Sequence, residues 1–431
     1  MIAGLLGYGI VLLARRLHSR CGFAAVLCLV ALAAVASSGT AMAGTAPACL
    51  AADMASWANR SQLMVGAMME DQIASAAPFD LRYVYIAGQF PDGGSPCASC
   101  AAACSVNGRS CSNDDGGDCG WWGCWQDSQN APGAFARQLI TMTTAGKQLP
   151  IFTYYTFLLA SGVDEGKPEI AKAADAAFMR TYYDDFRFLL RQIGTAKAIV
   201  HLEPDFWGYA RQVNQDPRLI AAAVASANAR DCAGQPNSIA GMGHCLIQMV
   251  RTYAPAAKVG FHASAWNASL NSRSSFDVDG DARATAAFLA LLGSADLVVV
   301  EADDRDAGYY QAVKGSNHWW DETNATLPNF NQMFQWVTTL TTSLQLPALW
   351  WQMPLGNMAL ANTDSGWHDN RLDYFFAHMP EVAHTNSFGV VYGPGATGQT
   401  TPSTDGGLLR QRTRAYVAAG RTDMCQTLAV M

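Results

Sequence analysis

Eight short runs rich in β-branched and aromatic residues recur along this chain, and stretches with helical periodicity separate most of them. Eight strands that alternate with helices in one chain favour a closed (β/α)8 barrel over an open doubly wound sheet. No Gly-x-Gly-x-x-Gly follows the first run, so the best signature of a dinucleotide-binding fold is missing. The sequence therefore predicts an α/β fold, a TIM barrel, with strands at 63–67, 81–87, 149–155, 198–202, 258–263, 296–301, 347–352 and 388–392.

Helices are predicted where apolar residues recur at helical spacing between these strands. A long loop, 91–130, separates the second strand from the helix that follows it, and we expect a disulfide-rich insertion there. The predicted helices cover 134–145, 169–193, 218–229, 239–253, 282–292, 329–343 and 408–419.

The first 43 residues have the pattern of an export signal. Three arginines precede the apolar run 22–36, and Ala41-Met42-Ala43 fits a small-x-small cleavage site. A second apolar run, 2–14, lies ahead of the arginines, and either an upstream start codon or an N-terminal anchor would explain it. We expect residues 44–431 to form a single catalytic domain that is secreted or periplasmic and has no membrane-spanning segment.

Ten of the twelve cysteines follow the export signal, and an even number in an exported protein favours disulfides. Cys232 and Cys245 could pair locally, and a Cys49–Cys425 bridge would join the two ends of the domain. A metal or iron–sulfur site is the alternative for the loop 91–130, where the disulfide connectivity stays open. The six cysteines of that loop are Cys97, Cys100, Cys104, Cys111, Cys119 and Cys124.

The charge balance excludes one large class of partner. The net charge is −7, and nucleic-acid binding requires clustered Lys and Arg. Only 15% of the residues are charged, whereas aromatic residues reach 10% and include 12 Trp. We therefore expect no nucleic acid as a partner, and the sequence leaves the oligomeric state open.

Acidic side chains follow the fourth and the sixth predicted strands, and the carboxyl ends of barrel strands meet on one face. Glycoside hydrolysis requires two carboxyl groups, one acting as acid and the other as nucleophile or base. We predict Glu203 as the acid and Asp303 as its leading partner, with Asp205, Asp304 and Glu301 as further candidates. Ion pairing or helix capping by some of these residues is the alternative interpretation.

Aromatic and polar side chains near the other strand ends complete a predicted carbohydrate-binding groove. Aromatic rings can stack on the C–H faces of sugars while polar groups bind the hydroxyls. Core packing is the alternative for some of them, since one of Trp350 and Trp351 should point into the helix layer. The predicted substrate-binding residues are Tyr154, Tyr155, His201, Trp207, His262, Trp266, Asp304, Trp319, Trp320, Trp351, Gln352 and Tyr392.

The dipeptide Glu203-Pro204 at the end of the fourth strand resembles the Asn-Glu-Pro motif of the large clan of retaining (β/α)8 glycoside hydrolases. The resemblance implies the acid/base role for Glu203. Leu202 stands in place of the clan's Asn, and Gln352 stands in the strand-seven segment where the clan carries its nucleophile Glu. These departures leave a retaining, an inverting and a substrate-assisted mechanism open, as well as a loss of activity.

Two other classes of function remain open from the sequence. One is a non-catalytic carbohydrate-binding barrel. The other is a metal-dependent barrel enzyme, in which His201, Glu203, His262 and Asp303 would gather a divalent ion.

No cofactor is expected, and a structural calcium ion is the alternative. The segment 277–281 resembles the start of a calcium loop, because acidic residues occupy every second position. Ala282 stands where that loop requires Gly, so an acidic loop that caps a helix is favoured.

Overall fold

Eight parallel strands close into a barrel in which each strand pairs with its neighbours in the chain and the first pairs with the last. This arrangement confirms the predicted (β/α)8 TIM barrel, and the disulfide-rich loop follows the second strand as expected. The strands are β1 Met64–Ala67, β2 Leu81–Ile86, β3 Leu149–Tyr154, β4 Ile199–Leu202, β5 Lys258–Ser264, β6 Leu297–Glu301, β7 Ala348–Met353 and β8 Ser387–Tyr392.

The structure is a computed structural model, and it describes residues 49–101, 103–111, 119–126, 130–270 and 272–425. The predicted export signal, residues 1–43, lies outside the described residues. Across the described ranges, no helix has both the length and the apolar character that a membrane span requires.

Helices cover the outside of the barrel. Three short 3-10 turns are at Trp122–Cys124, Pro217–Leu219 and Ala265–Ala268, and a π-helical turn is at Tyr310–Lys314. The α-helices are α1 Ala52–Ala58, α2 Asp71–Ala74, α3 Ala134–Ala145, α4 Phe157–Ser161, α5 Lys167–Lys172, α6 Ala176–Ile193, α7 Phe206–Val213, α8 Ala229–Cys232, α9 Ile239–Tyr253, α10 Val278–Ala290, α11 Ala307–Tyr309, α12 Phe330–Leu344, α13 Arg371–Ala377, α14 Met379–His384 and α15 Leu408–Ala418.

Two helix predictions differ from the structure. The single helix predicted at 169–193 is divided into α5 and α6, because the Asp175 carboxylate caps α6 by accepting hydrogen bonds from two of its amides. The helix predicted at 218–229 is wrong. The Asn237 side chain accepts hydrogen bonds from the amides of Val224 and Ser226, which a helix would have used internally.

Alternate residues of the strands pack into two separate cores, one inside the barrel and one between the barrel and the helices. On β7, the Trp350 ring lies 5.0 Å from the Phe375 ring of α13, whereas the Trp351 ring lies 5.8 Å from the Tyr83 ring inside the barrel. Trp350 is therefore the one that points into the helix layer. One set of strand side chains thus fills the inside of the barrel below its mouth, and the other set packs against the helices.

A bulge near the end of β7 changes this alternation. Val390 pairs with Trp350, but Tyr392 pairs with Met353, so β7 contains one more residue than β8 over the same distance. A bulge of this kind allows two successive side chains to point to one face. Trp351 and Gln352 consequently both point into the barrel, as their contacts below show.

All ten cysteines of the described residues form disulfides. The two pairings predicted from the sequence, Cys232–Cys245 and Cys49–Cys425, are both present. The thiols that a metal or iron–sulfur site would need in the loop 91–130 are therefore used in disulfides. The bridges in that loop are Cys97–Cys104, Cys100–Cys124 and Cys111–Cys119.

Candidate active site

A cleft of about 220 Å³ opens at the carboxyl end of the barrel, where the loops after β3, β4, β5 and β6 meet. This is the end at which TIM barrels place their functional residues. Five of the side chains around the cleft are carboxylates, and three are aromatic. The lining residues are Glu165, Asp205, Tyr209, Trp266, Glu301, Ala302, Asp303, Asp304, Tyr310 and His318.

Asp205 and Glu301 face each other across the floor of the cleft. The two carboxylates and the His262 ring each offer one atom, and these three atoms all lie within 4.8 Å of one another. Asp205 Oδ1 accepts hydrogen bonds from Ser264 Oγ at 2.8 Å and from Trp266 Nε1 at 2.7 Å. Two donors on one oxygen hold the carboxylate in place and stabilise its negative charge.

Glu301 ends β6 and lies deeper in the barrel mouth. Its Oε1 accepts a hydrogen bond from Gln352 Nε2 at 2.8 Å, and Tyr85 in turn donates its hydroxyl to Gln352 Oε1. Burial, together with the negative charges of Asp205, Asp304 and Asp303, raises the pKa of Glu301 well above its ordinary value.

A chain of buried polar groups connects the barrel interior to this floor. Thr153 Oγ1 lies 3.2 Å from His201 Nδ1, and His201 Nε2 lies 3.0 Å from His262 Nδ1. His262 Nε2 is 3.6 Å from Glu301 Oε2 and has no hydrogen-bond partner in the part of the chain that the structure describes. Burial lowers the pKa of His262 to about 4, and it lowers the pKa of His201 as well, so both rings are neutral at neutral pH.

Three residues on the segments around the same floor have a strained backbone. Glu203 has φ 40°, Asp205 has φ 67° and Gln352 has φ 56°, all in a region that residues other than glycine rarely adopt. Such conformations persist only where the surrounding structure holds them, and they cluster at functional sites. Glu203 and Asp205 directly follow β4, and Gln352 lies next to the last residue of β7.

Asp303 lines the cleft but is neutralised from behind. Its Oδ2 accepts hydrogen bonds from His318 Nδ1 at 2.7 Å and from Arg371 NH2 at 3.0 Å, and the Arg371 side chain is completely buried. Arg371 also pairs with Asp369 at 2.7 Å. These contacts tie Asp303 to the loop after β6, and its predicted role as the leading catalytic partner stays a prediction, because Asp303 also lines the cleft.

Glu203 does not face the cleft. Its side chain is fully buried, and its two carboxylate oxygens lie 3.2 and 3.3 Å from the amide nitrogen of Phe157, at the start of α4 in the helix layer. Simple alternation would have placed Glu203 on the same side as His201, but the positive φ of Glu203 turns its side chain outward. This corrects the prediction of Glu203 as the acid, and the carboxylate that reaches the cleft from this segment is Asp205.

Three predicted groove residues lie on the outer face of the barrel. Tyr154 donates its hydroxyl to Asp185 Oδ2 on α6 at 2.8 Å, and Tyr392 packs against Phe376 of α13. Trp207 is buried and donates its indole N–H to the carbonyl of Leu202 at 2.9 Å. These placements correct the three predictions, and strand alternation explains those of Tyr154 and Tyr392.

The disulfide-rich loop shares the contact that holds Tyr154. The indoles of Trp121 and Trp122 donate to the Asp185 carboxylate at 2.7 and 3.0 Å, so the loop packs on α6. Burial raises the pKa of Asp185, while the Trp121, Trp122 and Tyr154 hydrogen bonds oppose that shift.

The remaining aromatic predictions divide between groove and core. Trp266 lines the cleft and packs against Tyr209 at a ring distance of 4.6 Å. Tyr155 is partly exposed near Tyr85, and Trp319 lines a neighbouring depression of about 540 Å³. Trp320 is buried beneath the Arg371 guanidinium, which lies 4.7 Å from its ring.

Four polar or aromatic cleft residues were not predicted from the sequence: Glu165, Tyr209, Tyr310 and His318. Glu165 lies in a Gly-bounded loop after β3, and its raised pKa comes from burial and the Asp205 charge. Tyr310 and His318 lie far along the loop after β6, where their rings stack at 3.5 Å. In the sequence, Gly162 and Gly166 are a weak signal of a functional loop around Glu165. No sequence signal marks Tyr310 or His318. Asp304, which was predicted, contacts Tyr310 and Arg305.

The structure does not bring the predicted metal-binding set together, because Glu203 and Asp303 point to other partners. The residues that could hold a metal are instead Asp205, His262 and Glu301. In the calcium-like segment, Asp277 caps α10 through the amide of Gly280, and Asp279 accepts from Thr339 Oγ1.

No protein-family model and no curated protein matches this chain. Among solved structures, it is similar to the GH113 β-mannanase AaManA from Alicyclobacillus acidocaldarius, with 10% identity, a TM-score of 0.39 and coverage of 84% of this chain and 99% of that one. The β-mannanase of the blue mussel Mytilus edulis is 10% identical, with a TM-score of 0.42 and coverage of 85% of this chain and 94% of that one. A Cellulomonas fimi endo-β-1,4-mannanase double mutant is 10% identical, with a TM-score of 0.43 and coverage of 68% of this chain and 59% of that one. At these values the likenesses carry no functional assignment.

Proposed function

We propose that this chain is a glycoside hydrolase in which Glu301 is the general acid and Asp205 is the nucleophile. The observation that carries the proposal is the pair of carboxylates on the cleft floor, whose nearest oxygens lie within 4.8 Å of each other. Retaining glycosidases separate their two carboxyl groups by about 5–5.5 Å, whereas inverting enzymes need about 6.5–9.5 Å to fit a water molecule. Because nearest oxygens within 4.8 Å leave little room for a water molecule between the two groups, we propose retention of the anomeric configuration.

The surroundings of the two carboxyl groups differ in burial and in hydrogen bonding. Glu301 is the more deeply buried, accepts one hydrogen bond from the neutral Gln352, and lies among acidic neighbours. Asp205 is partly exposed and accepts two hydrogen bonds on one oxygen. A protonated acid beside an ionised carboxylate is the division that this reaction requires.

The reaction would proceed in two displacements. Glu301 donates its proton to the glycosidic oxygen as the bond to the anomeric carbon breaks, and Asp205 Oδ2 attacks that carbon to form a glycosyl ester. A water molecule then attacks the same carbon, the ionised Glu301 takes its proton, and Asp205 leaves as a carboxylate. The strained backbone at Asp205 would help to hold its carboxylate in the attacking position.

The cleft lining supports a neutral poly- or oligosaccharide as the substrate. Trp266, Tyr209 and Tyr310 offer aromatic surface for sugar rings, while Asp304 and Glu165 can accept hydrogen bonds from hydroxyl groups. No Lys or Arg is among the described residues that line the cleft, so an acidic sugar would find no Lys or Arg partner there. Tyr155, Trp319 and Gln352 are further substrate-binding residues in this proposal.

Export is part of the same proposal. Five disulfides within the described residues require an oxidising compartment, and the signal pattern at 1–43 would supply the route. We therefore propose a secreted or periplasmic location.

Reducing-sugar release from a panel of neutral glycans tests the proposal, with NMR of the first product anomer. Wild type should release sugar with retention, and Asp205→Asn should lose at least ~10²-fold in turnover. Inversion would contradict Asp205 as the nucleophile. Glycan binding without product from any glycan would favour the non-catalytic carbohydrate-binding barrel.

A further inference from the structure

We infer that Asp205, His262 and Glu301 form a binding site for one divalent transition-metal ion of the Zn²⁺ type. The ligand atoms come from three strand ends, β4, β5 and β6, and all lie within 4.8 Å of one another. One imidazole and two carboxylates are ligands that Zn²⁺ accepts, and three protein ligands leave a coordination position open.

Each of the three side chains has one atom held by the protein. Asp205 Oδ1 accepts from Ser264 and Trp266, and Glu301 Oε1 accepts from Gln352. His262 Nδ1 is 3.0 Å from His201 Nε2. Partners of this kind orient metal ligands in known sites. His262 Nε2 and Glu301 Oε2 lie 3.6 Å apart, and Asp205 offers a carboxylate oxygen within 4.8 Å of both residues' ligand atoms.

The His262 ring provides the independent evidence for a cation. Its side chain is completely buried, and among the described residues its Nε2 has no hydrogen-bond partner, although Glu301 Oε2 is 3.6 Å away. That distance is too long for an N–H···O hydrogen bond. The unpartnered Nε2 therefore lies beside the Asp205 and Glu301 carboxyl groups. A cation in this gap would give all three groups a partner.

A positive charge can enter this gap in two ways, and they exclude each other. In the hydrolase proposed above, it is the acid proton of Glu301. A bound metal ion would displace that proton and occupy the oxygen of Asp205 that attacks the sugar. The site itself is independent of the proposed function, but the expected inhibition of hydrolysis by the ion rests on it.

Metal titration of the EDTA-treated full-length chain tests the site directly. We expect calorimetry with Zn²⁺ to show one ion per chain, and Co²⁺ to give a visible absorption band of a low-symmetry site. His262→Gln should weaken Zn²⁺ binding at least ~10-fold, because it removes a ligand. His384→Gln is the matched control, since His384 is exposed on α14, and it should bind Zn²⁺ like wild type.

The outcomes separate the site from the hydrolase. No saturable Zn²⁺ binding, or binding that His262→Gln leaves unchanged, would overturn the site. If His262→Gln does not fold by circular dichroism, Asp205→Asn replaces it under the same criterion. Hydrolysis that Zn²⁺ suppresses at least ~10-fold and EDTA restores would support both proposals. Hydrolysis that requires Zn²⁺ would support the site and overturn the acid–nucleophile mechanism.

Discussion

Glu301 and Asp303 are two residues apart at the end of β6, both are buried, and their surroundings are opposite. Asp303 Oδ2 is 3.0 Å from the guanidinium of Arg371, whose side chain is fully buried. Glu301 has no cationic partner among the described residues, and its neighbours are a neutral histidine, an amide and three other acids. Burial of an uncompensated carboxylate costs stability, whereas a paired one can be accommodated.

Under the proposed function, this difference separates a carboxyl group that anchors a loop from one that takes part in the reaction. Asp303 uses its charge to fix the loop after β6 through Arg371 and His318. Glu301 is held in position by Gln352 but has no cationic partner among the described residues. It can therefore give a proton to a substrate or bind a cation. Buried groups with strongly shifted pKa values in a cleft are candidates for function for this reason.

Replacement of Arg371 by Met would make the two carboxylates alike. Asp303 and Asp369 would then be buried without a cation, and we expect the free energy of unfolding to fall by about 3–5 kcal/mol. Urea denaturation measures the change. Arg412→Met is the matched control, because Arg412 and Asp373 form an exposed pair at 2.7 Å whose loss should cost less than about 1 kcal/mol. Equal losses in the two variants would contradict the distinction drawn between buried and exposed pairs.

Glu169 extends the comparison to a further buried acid that, like Glu301, has no cationic partner among the described residues. Burial raises its pKa to about 8, opposed by a hydrogen bond from the Gly166 amide. The folded protein therefore binds a proton that the unfolded chain releases above a pKa of about 4.3, so the free energy of unfolding falls as the pH rises from about 4 towards 8. Glu169→Gln should remove this slope and gain about 2–5 kcal/mol relative to wild type by pH 8.

Urea denaturation of both proteins across this pH range checks the expectation. Parallel profiles for wild type and Glu169→Gln would contradict it. Lys172→Gln is the control, because Lys172 lies on α5 like Glu169 but pairs with Asp175, which is exposed.

Tyr154→Phe sharpens the division between the outer face and the cleft. The change removes one of the hydrogen bonds on Asp185 and should cost about 0.5–1.5 kcal/mol in the free energy of unfolding. Since the side chain faces α6, KM and kcat for any glycan substrate should stay unchanged. A raised KM would contradict this placement and indicate that Tyr154 contributes to substrate binding.

The barrel could be predicted because each strand carries its own local signal. All eight apolar runs form strands, and the Trp350–Trp351 pair follows the expected alternation. The same alternation, counted from Thr153 inside the barrel, would have placed Tyr154 on the outer face. That error came from treating every residue at a strand end as part of the mouth.

The details of the site depend on contacts that have no local signal. The positive φ at Glu203 turns one carboxylate outward and leaves Asp205 in the cleft. Arg371 lies far from Asp303 in the chain, so its neutralising effect arises only when the barrel closes. His318 and the bulge beside Gln352 are likewise products of tertiary packing.

Turnover of Glu301→Gln and Glu203→Gln on one glycan substrate tests the central claim most directly. Both changes are isosteric and both residues are buried, so their effects on folding should be similar and small. We predict that Glu301→Gln lowers kcat at least ~10²-fold, while Glu203→Gln stays within about tenfold of wild type, because only Glu301 reaches the cleft. The reverse pattern, with activity kept in Glu301→Gln and lost in Glu203→Gln, would contradict the account.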